Sequence, residues 1–229
     1  MKKNVLLQSL SFLLWMSLFT GVLYPAFVTL AAGLVFPDKA GGSLLLVGGQ
    51  VRGSRLLAQD FRGEKGWFLA RPSATGWSTL PSGASNLAAT NPDFAKEEAA
   101  NAAAWAEASG QAGSQAIATA GAQAQPPAKS LPPDMATTSG SGLDPDISLE
   151  AALGQLDRVS AVRGLDAAAK AALGARIRAM AAASESLLGP ARVNVVELNG
   201  GLAGDSPPVA AAPSTEAGLP PAPADRAGK

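Results

Sequence analysis

From Asn4 to Phe36 the chain carries no charged residue: "NVLLQSLSFLLWMSLFTGVLYPAFVTLAAGLVF". A helix needs roughly 20 apolar residues to cross a bilayer's hydrocarbon core, and this run exceeds that. A cleaved signal peptide is the rival, with "TLAAG" near Ala31 as its cleavage-like site. The apolar core of such a peptide is about 7–15 residues, so the run reads as an uncleaved anchor. The span is expected over roughly Leu6 to Leu23, with Tyr24 at an interface and Pro25 kinking or ending the helix. Lys2 and Lys3 precede it with no acid to offset them, whereas Asp38 and Lys39 behind it cancel. Positive charge is retained in the cytoplasm, so the N-terminus is expected inside and the remaining chain outside.

What the chain lacks narrows its chemistry. It has no His and no Cys. Ser-His-Asp and Cys-His nucleophiles are excluded, as are the usual catalytic zinc sites, disulfides and iron–sulfur clusters. Lys+Arg and Asp+Glu both number 18, so no basic footprint for nucleic acid exists. Hydrolysis by paired carboxylates, or by Ser with Lys, survives.

Behind the anchor, residues 37–199 read as one small α+β extramembrane domain. Short β-type runs are expected at Leu44–Val47, Gln50–Arg52, Leu56–Ala58 and Trp67–Ala70, with Gly48-Gly49 as a turn. Asn91 and Pro92 open a helix as N-cap and first residue. Residues 109–130, rich in Ala, Gly and Gln, read as a flexible insert, and 200–229, rich in Pro and Ala, as a disordered tail. Met135–Thr138 reads as an edge strand. A helix over Leu149–Arg163 should bury Leu149, Leu153, Leu156 and Val159 or Val162. A second helix, capped by Asp166, should bury Leu173, Ile177 and Met180 and end at Gly189-Pro190. Arg192–Asn199 reads as an interior strand.

Three places could carry function. In "SGSGLDPDIS", Asp144, Asp146 and Ser148 precede a helix, where carboxylates and hydroxyls satisfy free N–H groups. Capping is the favoured reading, with cation contact and acid–base chemistry behind it. Gln155 and Arg158, at i and i+3, share a helix face that is either solvated or a contact for a partner or phosphate. Ser85, Asn86 and Asn91 in "GASNLAATNP" are turn and capping residues by default. No Walker-type loop is present, and no metal or prosthetic group is implied.

Taken in order, the apolar span ending near "YP", "VRGSRLLAQDF", "FLARPSAT", "GASNLAATNP", "TSGSGLDPDIS", "AALGQLDRVSAVRGL" and "VNVVELN" resemble the C subunit of the Kdp potassium-transporting ATPase, the KdpC family. The resemblance runs from about Leu10 to Asn199; the 109–129 insert and the tail fall outside its blocks. Its motif positions include Arg71, Pro72, Ser73, Ser85, Asn86, Asn91 and Pro92, and the signature loop Thr138, Ser139, Ser141, Asp144 and Asp146. The resemblance implies a non-catalytic accessory subunit of an ATP-driven, high-affinity potassium importer in the bacterial inner membrane. The implied partners are a channel-like potassium-binding subunit, a P-type ATPase subunit and a small membrane peptide. ATP and potassium are then handled by the complex, with no cofactor held permanently here. It also implies a catalytic chaperone that raises ATP affinity, with nucleotide contact at Gln155 and, one turn on, Arg158. An external domain cannot reach cytoplasmic ATP, so the topology argues for an indirect effect and a role covering the channel mouth. The alternatives are an anchored envelope binding module and a carboxylate-based hydrolase.

Overall fold

The computed structural model describes residues 3–110, 131–186 and 189–204. The flexible-insert expectation from residue 111 onward, and the tail expectation from 205 onward, fall outside them. The first feature is a continuous helical rod: α1 (Lys3–Leu18), a π-helical turn (Phe19–Leu23) and α2 (Tyr24–Val35). Its stretch Asn4–Val35 spans 32 residues with none of its apolar window buried, about 48 Å at the usual rise per residue. The expected end near Leu23 is therefore overrun. Pro25 sits at the start of α2, and the π turn just before it absorbs the clash that proline makes with the preceding turn.

A short turn of helix, α3 (Pro37–Ala40), leads into the hairpin β1 (Leu44–Val47) and β2 (Gln50–Ser54). Val47 pairs with Gln50 across a two-residue loop. Gly48 and Gly49 have φ +60° and +78°, the left-handed pair that a tight hairpin requires. Then come α4 (Pro92–Ala108), α5 (Pro133–Ala136), β3 (Asp146–Ser148), α6 (Leu149–Val162), α7 (Ala167–Ser184), β4 (Arg192–Asn194) and α8 (Val195–Gly204). β3 and β4 form the second antiparallel pair. The architecture is α+β, as expected.

Several boundaries differ from expectation. Leu56–Ala58 and Trp67–Ala70 form no strand, and Met135 lies in α5 rather than on a sheet edge. The expected strand Arg192–Asn199 stops at Asn194, whose side-chain oxygen accepts from Glu197 N at 3.0 Å and starts α8. The boundary at 199/200 thus falls inside a helix. On α6 the buried line is Ala151, Ala152, Gly154, Gln155, Val159 and Ser160. Leu149, Leu153 and Leu156 are only partly buried, and Val162 is exposed. The reason is Trp105, 2% exposed, which comes within 2.6 Å of where a Cβ on Gly154 would stand. Only a glycine face lets α4 approach that closely. On α7, Leu173 and Ile177 are buried as expected and Met180 partly so; the helix ends at Ser184, before Gly189.

At the centre of the domain Phe68 and Leu69, which follow a turn over Lys65 and Gly66, run with no strand beside them. Buried main-chain groups must still be paired, and here side chains do it. Gln155 on α6 accepts from Leu69 N at 2.8 Å and donates to Leu69 O at 3.1 Å. Asn199 on α8 does the same for Phe68, at 3.0 and 2.9 Å. Replacing Gln155 or Asn199 by Ala removes the partner of two main-chain groups at once, part-buried at Leu69 and buried at Phe68. At about 1–3 kcal/mol per orphaned group, each variant should lose roughly 2–4 kcal/mol in denaturant unfolding of the full chain in detergent.

Candidate functional site

Gln155 is fully buried; the solvated-face expectation for it fails because its amide closes on Leu69. Arg158, beside it, donates to the carbonyls of Lys65, Ala108 and Trp67 and to Gln155 Oε1 at 3.0 Å. Every one of these acceptors is neutral. Burial lowers the guanidinium's pKa below its ordinary value, while the charge of Glu107 pulls it back. Arg163, one turn on, donates to Gly66 O at 3.4 Å and Leu202 O at 2.6 Å and lies over the Trp67 ring. Gln155, Arg158 and Arg163 of "QLDRVSAVR" therefore grip the main chain of residues 65–69.

The other motif residues converge on one corner of the domain. Arg71 donates to Asp144 Oδ2 at 3.1 Å and to Asp134 O. The other oxygen of Asp144 accepts from Asp146 N at 3.1 Å. Asp146 accepts from the Asn194 amide at 2.9 Å, so the acids brace the β3–β4 pair and the start of α8. Neither is the cap of α6, a correction to the capping expectation. Ser148 alone has that role, accepting from Ala151 N at 3.1 Å. Asp134, which the sequence reading passed over, holds Ser148 through both its N–H and its hydroxyl. Asn91 caps α4, accepting from Asp93 N, with Pro92 at the first helical position.

Thr138 donates to Glu97 Oε1 at 3.1 Å, and Ser85 reaches the same oxygen at 3.4 Å. Glu97, on α4, is a further residue that the sequence did not single out for this contact. Ser73 accepts from Thr75 N and Trp77 N, closing the turn after Pro72, and Pro72 O accepts from Ser139 N at 2.9 Å. Ser139 is buried, Ser141 is exposed, and Asn86 stands at φ +55° in an exposed turn. Gly142, at φ +70°, is seated so that a Cβ would come 2.7 Å from Gly83 O and Thr75 Oγ1. The "RPSAT", "GAS" and "TSGSG" segments thus meet with their backbones in contact.

Chemically, this corner is a brace. Among the described residues no group of three or more acids that could hold a metal ion occurs. Lys65, Lys96 and Lys170 pair with acids and Lys39 lies over Phe36, so none of these activates a serine.

Two predictions follow from the corner's geometry. Gly142→Ala should destabilise the domain and expose Ser139 to solvent, read as a lower melting temperature and faster amide exchange across 138–143. Burial, aided by the charge of Asp144, raises the Asp146 pKa above its ordinary value, against the Asn194 bond and Arg192. The folded state then binds more protons than the unfolded one between the two pKa values, so this group's contribution to stability falls as pH rises through that window. Asp146→Asn retains an acceptor for Asn194 and removes the buried charge. It should match or exceed the wild-type melting temperature at pH 7, with the difference closing below about pH 4.

Comparison with known proteins places this architecture. Residues 6–203 match the family described as KdpC: K+-transporting ATPase, c chain. The potassium-transporting ATPase KdpC subunit of Pseudomonas putida is 42% identical over 194 residues, 83% of this chain and 91% of that one. Those of Pseudomonas syringae pv. tomato and Pseudomonas aeruginosa are each 43% identical, over 197 and 202 residues. Both alignments cover 86% of this chain, with 91% and 94% of the respective relatives. With the membrane-length helix, the gripped central run and the braced corner all inside the matched region, the chain belongs to the KdpC family, the c-chain subunits of the K+-transporting P-type ATPase complex.

Proposed function

We propose that this chain is a non-catalytic accessory subunit that holds the potassium-importing complex together and raises the ATP affinity of its P-type ATPase subunit without touching nucleotide. It sits in the bacterial inner membrane by the single helix Asn4–Val35, N-terminus in the cytoplasm and domain outside. There it covers the outer mouth of the channel-like potassium-binding subunit. The small membrane peptide and the ATPase subunit complete the assembly, and no cofactor is held permanently by this chain.

The observation that carries the reading is the engagement of α6. A nucleotide contact needs the polar groups of Gln155 and Arg158 free. Their hydrogen bonds go instead to Leu69, Trp67, Lys65 and Ala108, and Gln155 has no exposed surface. Freeing them would unpair the centre of the domain. The polarity of Lys2 and Lys3 against the neutral Asp38-Lys39 pair supports the orientation. The anchored-hydrolase alternative is weakened because Asp144 and Asp146 serve Arg71 and Asn194.

The chain has no cysteine, so Ser141→Cys supplies a single exposed thiol. A membrane-impermeant thiol reagent should label it in intact cells; protection until lysis would reverse the topology. In the purified complex, an azido-ATP photoprobe should mark the P-type subunit and leave this chain unmarked. Adducts on α6 would sink the indirect route.

A further inference from the structure

The hairpin of β1 and β2 has two unlike faces. Side chains alternate along a strand, and residues paired across it share a face. Leu45 packs on α8, within 2.5 Å of where a Cβ on Gly200 would stand. Leu44 and Leu46 lie on the other face, together with Val51, the pairing partner of Leu46. These three are 41%, 60% and 57% exposed. Contiguous aliphatic surface this open marks a place where something else binds.

That face stands beside the end of the membrane rod. The rod is apolar and exposed through Leu34, Val35 and Phe36. Its length of about 48 Å compares with roughly 40–45 Å for a bilayer including its headgroups, so it ends at headgroup level. Asp38 comes two residues after Phe36, and its carbonyl accepts from Ser43 N, just before β1, at 2.8 Å. Ser43 O in turn accepts from Arg55 N, just past β2, at 2.9 Å. Both ends of the hairpin are thus pinned within one helical turn of the rod.

The charges fit the same place. The acids at this junction, Asp38 and Glu197, are both engaged by Arg55. Lys39 and Arg52 are exposed. Lys39 lies over the Phe36 ring, and Arg52 falls between the pairs Leu45–Gly53 and Leu46–Val51. A long cationic side chain can lay its stem on apolar surface and send its charge to a phosphate.

We infer that the outer face of this hairpin seats in the lipid leaflet at the end of the rod, with Leu44, Leu46 and Val51 among acyl chains and Lys39 and Arg52 on lipid phosphates. The inference rests on the reading of Asn4–Val35 as a membrane anchor. Protein interfaces are centred on aromatic or arginine anchors in pockets, and this face offers a flat aliphatic patch. Lipid asks only for apolar area with cations at its rim.

The test uses the full chain in the assembled complex, in vesicles of phosphatidylethanolamine and phosphatidylglycerol, with a benzophenone amino acid introduced singly. At Leu46 and Val51, irradiation should add the mass of a phospholipid to this chain several-fold more often than at Val162, an exposed apolar residue on α6. Adducts to another subunit at Leu46 and Val51 would overturn the inference and make the hairpin a protein contact. Lipid yields no higher than at Val162 would overturn it as well. Release of the wild-type full chain from membranes by alkaline carbonate would instead overturn the anchor reading itself.

Discussion

A piece of irregular main chain at the heart of the domain, held without a neighbouring strand, is the constraint on which this domain depends. Phe68 and Leu69 cross its centre, and their N–H and C=O groups would cost free energy if left unpaired. In a sheet, a ladder would satisfy them. Here Gln155 and Asn199 act as side-chain strands, each pairing both groups of one residue from opposite helices. Arg158 and Arg163 add the carbonyls of Lys65, Gly66 and Trp67. α6 and α8 can then stand only where their amides meet that run. Trp105 against Gly154 sets α4 on α6, and Leu45, in the hairpin, reaches to within 2.5 Å of where a Cβ on Gly200 would stand, so α8 is equally close to β1. With helices doing the work of a sheet, the two strand pairs stay small.

The same logic accounts for the motif-rich corner. Asp134 orients the Ser148 cap, Asp144 bonds Arg71, and Asp146 bonds Asn194. Each acid fixes the start of an element: α6, the β3 edge or α8. Pro145 O adds to this by accepting from Val195 N at 2.9 Å. Carboxylates that look catalytic in a linear reading are therefore hinge pins between segments distant in sequence. Such a corner is rigid, which suits a subunit whose proposed role is to present a fixed shape to its partners.

What was legible in the sequence was local. Asn91, Ser148 and Asp166 cap helices because a cap needs only its next turn, and Gly48-Gly49 makes a hairpin for the same reason. Several misreadings were decided by partners far along the chain, others by a local feature with no signature in the sequence. Trp67–Ala70 has strand composition, yet its partners are helix side chains more than eighty residues away. Val195–Leu198 is equally β-like, but Asn194 offers its carbonyl oxygen as a cap and the helix wins. Gln155 reads as surface because glutamine is rarely buried; only its pairing with a strandless main chain explains it. Pro25 read as a kink or an end, since nothing in the sequence announces a π turn that carries the helix past it. The family resemblance marked which residues matter and left their work to be found in three dimensions.

The junction between membrane and domain shows which bonds transmit position. Arg55 bridges Asp38 and Glu197 at 3.0 and 3.2 Å, but all three side chains are substantially exposed, and such pairs contribute little under solvent screening. The main chain holds the joint instead. Ser43 N donates to Asp38 O, Arg55 N to Ser43 O, and the Ser54 hydroxyl to Gly42 O, all within 2.7–2.9 Å. These bonds tie α3 to the hairpin independently of ionic strength, so the domain's attitude at the membrane surface is set by geometry. On the proposed topology, the helix Asn4–Val35 joins that domain to the cytoplasm as one rod that runs through the π turn at Phe19–Leu23. The proposed influence on ATP affinity has then to cross the membrane through this helix or through neighbouring subunits, since the domain itself lies on the other side.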